Sequence, residues 1–135
     1  MKALFARVIC GLLLAASVAA AQPAIKQQTI QFKKGEAGAT IKASLKGDQT
    51  IDYTLRASAG QVMVVRFKPS NPSAYFNVLP PGTDEAMFIG STSGNEFSAE
   101  LTASGVYTIR VYLMRNAARR NESVDYTLDV AVAGG

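Results

Sequence analysis

Residues 106–132 read VYTIRVYLMRNAARRNESVDYTLDVAV. Two runs of alternating character flank a connection crowded with arginine. In the first, Tyr107, Ile109, Val111 and Leu113 fall on one side of an extended chain; in the second, Tyr126, Leu128, Val130 and Val132 do the same. A period of two is the signature of a strand with one buried face, so two strands are predicted here, pairing as antiparallel neighbours. The connection, Arg115 to Ser123, spans nine residues, more than the usual two to five of a hairpin. It holds neither glycine nor proline, and its RNAARR segment favours a single helical turn.

The same alternation recurs upstream. In IDYTLRA (51–57), Ile51, Tyr53, Leu55 and Ala57 point inward and Asp52, Thr54 and Arg56 outward; in VMVVRFK (62–68), Met63, Val65 and Phe67 point inward. The tight turn of residues 58–61 predicts that these two runs form a hairpin. QQTIQFKK (27–34) and ATIKASLKG (39–47) are each about a strand long, while SAYFNVLPPG and AMFIGS read as shorter, rougher strands. Glycine and proline lie at the boundaries of these runs. Short strands every 8–12 residues or so, without helical periodicity, indicate a sandwich or a barrel. The expected fold is all-β, a single-domain antiparallel β-sandwich of about eight strands.

Residues 1–21 stand apart from this pattern. A basic start, the apolar VICGLLLAASVA and the small residues Ala19 to Ala21 have the form of a cleaved secretory signal peptide. The apolar run is too short for a membrane anchor, which takes about 20 residues. Cys10 precedes most of that run, opposite to the order of a lipidated cysteine, and is expected to leave with the leader. The mature chain, residues 22–135, is then one domain without cysteine, held together by packing rather than disulfides. Loss of Lys2 and Arg7 leaves twelve basic against ten acidic residues. So small an excess does not make the broad basic face of a nucleic-acid or membrane-surface binder.

The missing residue types exclude much chemistry. The sequence has no histidine and its one cysteine lies in the leader, which removes imidazole and thiolate metal sites and the Ser-His-Asp and Cys-His arrangements. Asp84-Glu85 is the only adjacent acidic pair; placed in the turn PPGTDEAM, it reads as solvated surface. No calcium-loop pattern occurs. The Asn121-Glu122-Ser123 glycosylation match is too short to carry weight. Neither an enzyme nor a cofactor is expected.

The arginine connection keeps two readings on these grounds. In a helical turn Arg115 and Arg119, four residues apart, share a side, and two guanidinium forks projecting together can each grip a carboxylate or phosphate with paired hydrogen bonds. Alternatively the arginines are an ordinary solvated loop pairing with Glu122 and Asp125 for little net stability. Arg120, pointing away from the other two, fits the second reading. Asn116 has the ordinary loop role of bonding nearby backbone.

Four stretches together resemble a known family: IQFKKGEAGATIKASLKG (30–47), YTLRASAGQ (53–61), ASGVYTIRVYLMRNAARRN (103–121) and YTLDVAV (126–132). They are similar to the periplasmic proteinaceous inhibitors of g-type (goose-type) lysozyme of Gram-negative bacteria. The most specific piece is SGVYTIRV followed by RNAAR. The resemblance implies a β-sandwich-like inhibitor that sets a protruding surface into the lysozyme's substrate cleft, with Arg115 and Arg119 of the RNxAR motif as main contacts and Asn116 between them. It also implies g-type lysozyme as partner, with no cofactor. The family pattern puts an aromatic residue after the KG turn where this sequence has Asp48, a carboxylate that would repel an acidic cleft. Residues 70–95 match only loosely. A second reading is an exported β-sandwich accessory module of the kind appended to secreted proteases, binding carbohydrate; the absence of tryptophan, and Tyr112 as the one aromatic on the outward side of its strand, weigh against it.

Overall fold

The computed structural model describes residues 25–134. The predicted leader, with Cys10, lies outside them. Nine strands and two short helices follow in the order β1 (Lys26–Thr29), β2 (Gly38–Lys46), β3 (Thr50–Ala57), β4 (Val62–Pro69), β5 (Ala74–Leu79), β6 (Phe88–Ile89), α1 (Gly90–Ser93), β7 (Glu96–Glu100), β8 (Gly105–Leu113), α2 (Arg115–Arg119) and β9 (Ser123–Ala133). They form two sheets, ordered β1-β3-β8-β5-β6 and β2-β9-β4-β7. All ladders are antiparallel but one: β1 lies parallel to β3, from Lys26 opposite Ile51 to Thr29 opposite Thr54. The all-β sandwich expected from alternation is therefore present, with β7 the strand that the sequence reading had passed over.

Every inward residue assigned from the alternation is buried, none more than 7% exposed, and Tyr53, Met63, Val65, Ile109, Val111 and Leu128 are fully buried. Both pairings inferred from chain order are overturned. β3 and β4 form no hairpin, since β3 pairs with β1 and β8 while β4 pairs with β7 and β9. The 58–61 turn bonds elsewhere, Gly60 N–H to the Leu101 carbonyl and Ala59 N–H to the Ser104 hydroxyl, as the chain passes from one sheet to the other. Nor do β8 and β9 pair. β8 sits between β3 and β5, and β9 between β2 and β4. Alternation fixes which face a strand buries but not its neighbour, and two strands whose inward faces meet across the core satisfy it as well as two side by side.

This topology accounts for the long arginine connection. Sandwich sheets stand about 10 Å apart, a gap that a two-residue turn cannot bridge, so the 114–122 segment closes one end of the sandwich. Between the sheets runs a chain of rings: Phe67 meets Phe76 with centroids 5.7 Å apart and Tyr126 at 5.5 Å, and Phe76 stacks on Phe88 at 5.0 Å. The Tyr53 and Tyr126 hydroxyls hydrogen-bond each other from opposite sheets.

Burial raises the Tyr53 and Tyr126 hydroxyls above the ordinary tyrosine value. Unfolded tyrosines ionise near pH 10, whereas these keep their protons when folded, so their contribution to stability is complete below about pH 10 and declines as pH rises beyond it. Melting temperature should therefore fall steeply above about pH 10, and the Tyr53→Phe/Tyr126→Phe variant should show a shallower decline. An unchanged slope in that variant would assign alkaline sensitivity to other groups.

Candidate functional site

Helix α2 begins directly after β8, where the Met114 N–H donates to the Ser73 carbonyl at 2.9 Å and the Met114 carbonyl accepts from Ala118 N–H at 2.9 Å. Its middle residue, Ala117, is fully buried and plugs the end of the core. At 3.6 residues per turn, about 100° apiece, the direction opposite Ala117 falls between Arg115 and Arg119. Core packing thus turns those two side chains outward together. Both are exposed, and among the described residues neither side chain makes a hydrogen bond or ion pair. The single helical turn and the shared side expected from the sequence are present.

The charged residues that follow α2's exposed pair, Arg120, Glu122 and Asp125, are occupied. Arg120 Nε donates to Glu122 Oε2 at 2.6 Å, the surface pairing anticipated for it. Asn71 Nδ2 donates to the other Glu122 oxygen at 3.0 Å, and Asn71 Oδ1 accepts from Ser73 N–H at 2.9 Å. The Asn71 amide, and after it Arg120, hold the Glu122 carboxyl below the ordinary glutamate value, so this tie persists at neutral pH and weakens only in acid. Asp125 is not an arginine partner; it accepts from the Ser44 hydroxyl at 2.6 Å and donates its N–H to the Ser70 hydroxyl. Asn116 is exposed, and its backbone carbonyl accepts from Arg120 N–H at 3.2 Å, while among the described residues no hydrogen bond of its side chain ties the loop.

The turn between β2 and β3 packs against the exit of α2. Gly47 adopts φ +63° and Asn121 φ 55°, both left-handed, and the Gly47 N–H donates to the Glu122 carbonyl at 2.8 Å. A Cβ on Gly47 would lie 2.6 Å from Asn121 Oδ1, so a side chain there would have to displace the Asn121 amide as well as adopt a left-handed backbone, and glycine is favoured. This contact brings the next residue, Asp48, into one shallow depression with Thr50, Asn77, Arg110, Tyr112 and Arg115. Arg119 is not among the residues lining that depression.

Sequence reasoning placed Asp52 outward with Thr54 and Arg56, as the pleat requires, but did not foresee its burial. It is 5% exposed, covered by Arg110, whose Nε and a terminal nitrogen donate to its two oxygens at 2.8 and 2.9 Å. A polar residue on each of two paired strands, Asp52 opposite Arg110, was the available signal. Tyr112 is no open platform for a sugar ring: it is half-buried, donates to Asn77 Oδ1 at 3.0 Å and packs against Tyr75. Asp84 and Glu85 are exposed in a turn. Among the described residues no cluster of three or more His, Cys, Asp or Glu side chains could hold a metal ion.

No protein-family model matches the chain. Over 124 residues it is 32% identical to an inhibitor of g-type lysozyme from Escherichia coli (strain K12), an alignment covering 90% of this chain and 92% of that one. The chain belongs to the g-type lysozyme inhibitor family. A solved member of that family, a periplasmic lysozyme inhibitor of g-type lysozyme from Aeromonas hydrophila, is 39% identical with a TM-score of 0.77, covering 83% of this chain and 100% of the other. The pre-peptidase C-terminal domain of a Bacillus anthracis collagenase matches at 18% identity and a TM-score of 0.51, covering 83% and 97%, a likeness of fold alone. That likeness explains why a sandwich of the inhibitor family reads, strand by strand, like a protease accessory module. These relatives are inhibitor proteins rather than enzymes.

Proposed function

We propose that the protein inhibits g-type lysozyme in the periplasm by seating α2 in the enzyme's substrate cleft, Arg115 and Arg119 facing its acidic groups and Asn116 completing the contact. Family membership supports the partner and the compartment. The observation that supports this site is the pair of outward arginines opposite the buried Ala117, lacking side-chain partners among the described residues. A glycosidase cleft carries carboxylates that protonate and stabilise its transition state, and paired guanidinium forks match carboxylates geometrically. Inhibition then needs only occupancy. In this reading residues 1–21 are a cleaved export leader and residues 22–135 the single mature domain.

The test is a cell-wall lysis assay of the mature protein against goose-type, chicken-type and invertebrate-type lysozymes. Slowing of the goose-type enzyme is expected; its full activity at equimolar or higher protein would refute the reading. Asp48, beside Arg115 in the same depression, opposes such a partner. Asp48→Asn removes a rim carboxylate facing an acidic cleft and should tighten inhibition about three- to tenfold, chiefly through faster association at low salt. Weaker inhibition by that variant would mean that Asp48 makes a favourable contact.

A further inference from the structure

We propose that Arg110 supplies a third, pre-oriented guanidinium edge to the lysozyme interface, gripping a carboxylate beside the one that receives Arg115. The inference rests on the reading of α2 as the inhibitory ridge and extends its contact onto the outer face of the β3-β8-β5 sheet. A guanidinium carries five N–H donors. Arg110 commits one from Nε and one from a terminal nitrogen to Asp52, leaving three. Its side chain is 31% exposed while that of Asp52 is 7% exposed, so the pair has a buried carboxylate end and an open guanidinium end. That open end lines the depression shared with Arg115.

A further donor stands beside Arg110. On the β5 side its neighbour is Asn77, whose Oδ1 already accepts from the Tyr112 hydroxyl at 3.0 Å and from Gly90 N–H at 3.3 Å. That leaves the Asn77 NH2 as its free function. The depression thus offers donors from Arg110, Asn77 and Arg115, with Asp48 the one carboxylate among its lining residues. Pairing with Asp52, and a smaller pull from Asp84, raise the Arg110 pKa further above its ordinary value, so the group stays charged. A fork fixed by a bidentate bond loses little rotamer freedom on binding, unlike a surface arginine that must be ordered first.

Two variants test this by titration calorimetry against goose-type lysozyme, with thermal melts alongside. Arg110→Lys keeps the charge and a bond to Asp52 but has no spare fork, and its dissociation constant should rise at least about tenfold. Asp52→Asn/Arg110→Gln removes both charges without orphaning a buried one and should weaken binding similarly. Arg66→Gln, on the opposite sheet, should change nothing. Binding within twofold of wild type by folded Arg110→Lys overturns the inference while leaving α2 as the ridge. A wild-type protein that does not bind the lysozyme overturns both.

Discussion

Replacing Arg115 and Arg119 together by alanine is expected to weaken inhibition of a goose-type lysozyme by roughly a thousandfold or more, with a melting temperature close to that of the parent. Truncating one partner of a desolvated charge pair costs about 2–5 kcal/mol, because the partner's charge stays buried and unmatched. Two such losses exceed about 4 kcal/mol, and each 1.4 kcal/mol is about a factor of ten. Stability should be spared since both side chains are exposed and alanine is the best helix former; the residue that anchors the turn is Ala117. Lysis assays with calorimetry provide the measurement. Undiminished potency in the folded double variant would move the contact off α2. An effect spread evenly over the single variants Arg115→Ala and Arg119→Ala would indicate two separate carboxylates, whereas a dominant Arg115 would favour the depression side of the ridge.

Arg110→Ala should be strongly damaging for a change on the outer face of the sheets, costing up to about 3–5 kcal/mol, the usual penalty for leaving a buried ion without its partner. The two halves of this pair are unequal. With Arg110 gone the Asp52 carboxylate, 7% exposed in the intact pair, loses the donors to both oxygens, and only water entering the space left by the arginine can replace them. With Asp52 gone, Arg110 can turn its head to water, so Asp52→Ala should cost less. Adding Asp52→Asn to Arg110→Ala removes the stranded charge and should recover part of the lost stability, a rescue that denaturant unfolding would reveal as strong non-additivity. Additive losses would show instead that the arginine acts through packing of its aliphatic stem.

Much of the sandwich was legible in the sequence because alternation reports burial directly. Met63, Val65 and Phe67, or Tyr107, Ile109 and Val111, could hardly face anywhere but inward. Pairing was less legible: β8 and β9 follow each other in the chain and share the same pattern, yet enter different sheets, and only the length of their connection hinted at it. β7 was missed because EFSAE (96–100) carries just Phe97 and Ala99 on its inward side among polar residues. In the site, the i, i+4 spacing of Arg115 and Arg119 and the Arg120–Glu122 pairing could be read locally. The burial of Asp52 and the meeting of Gly47 with Asn121 could not, since they join residues 58 and 74 positions apart in sequence.

That meeting has a bearing on how inhibitors of this kind could be exchanged or redesigned. Because the Gly47 N–H bonds the Glu122 carbonyl where two left-handed positions face each other, the arginine ridge and the Lys46–Gln49 turn form one transplantable unit with two separate stretches of chain. A ridge moved alone into another sandwich would lose its seat and the angle at which its forks project, while a graft carrying both stretches would keep them. The constraint runs one way: a side chain introduced at residue 47 would have to displace the Asn121 amide, whereas a change at Asn121 leaves the glycine free to stay.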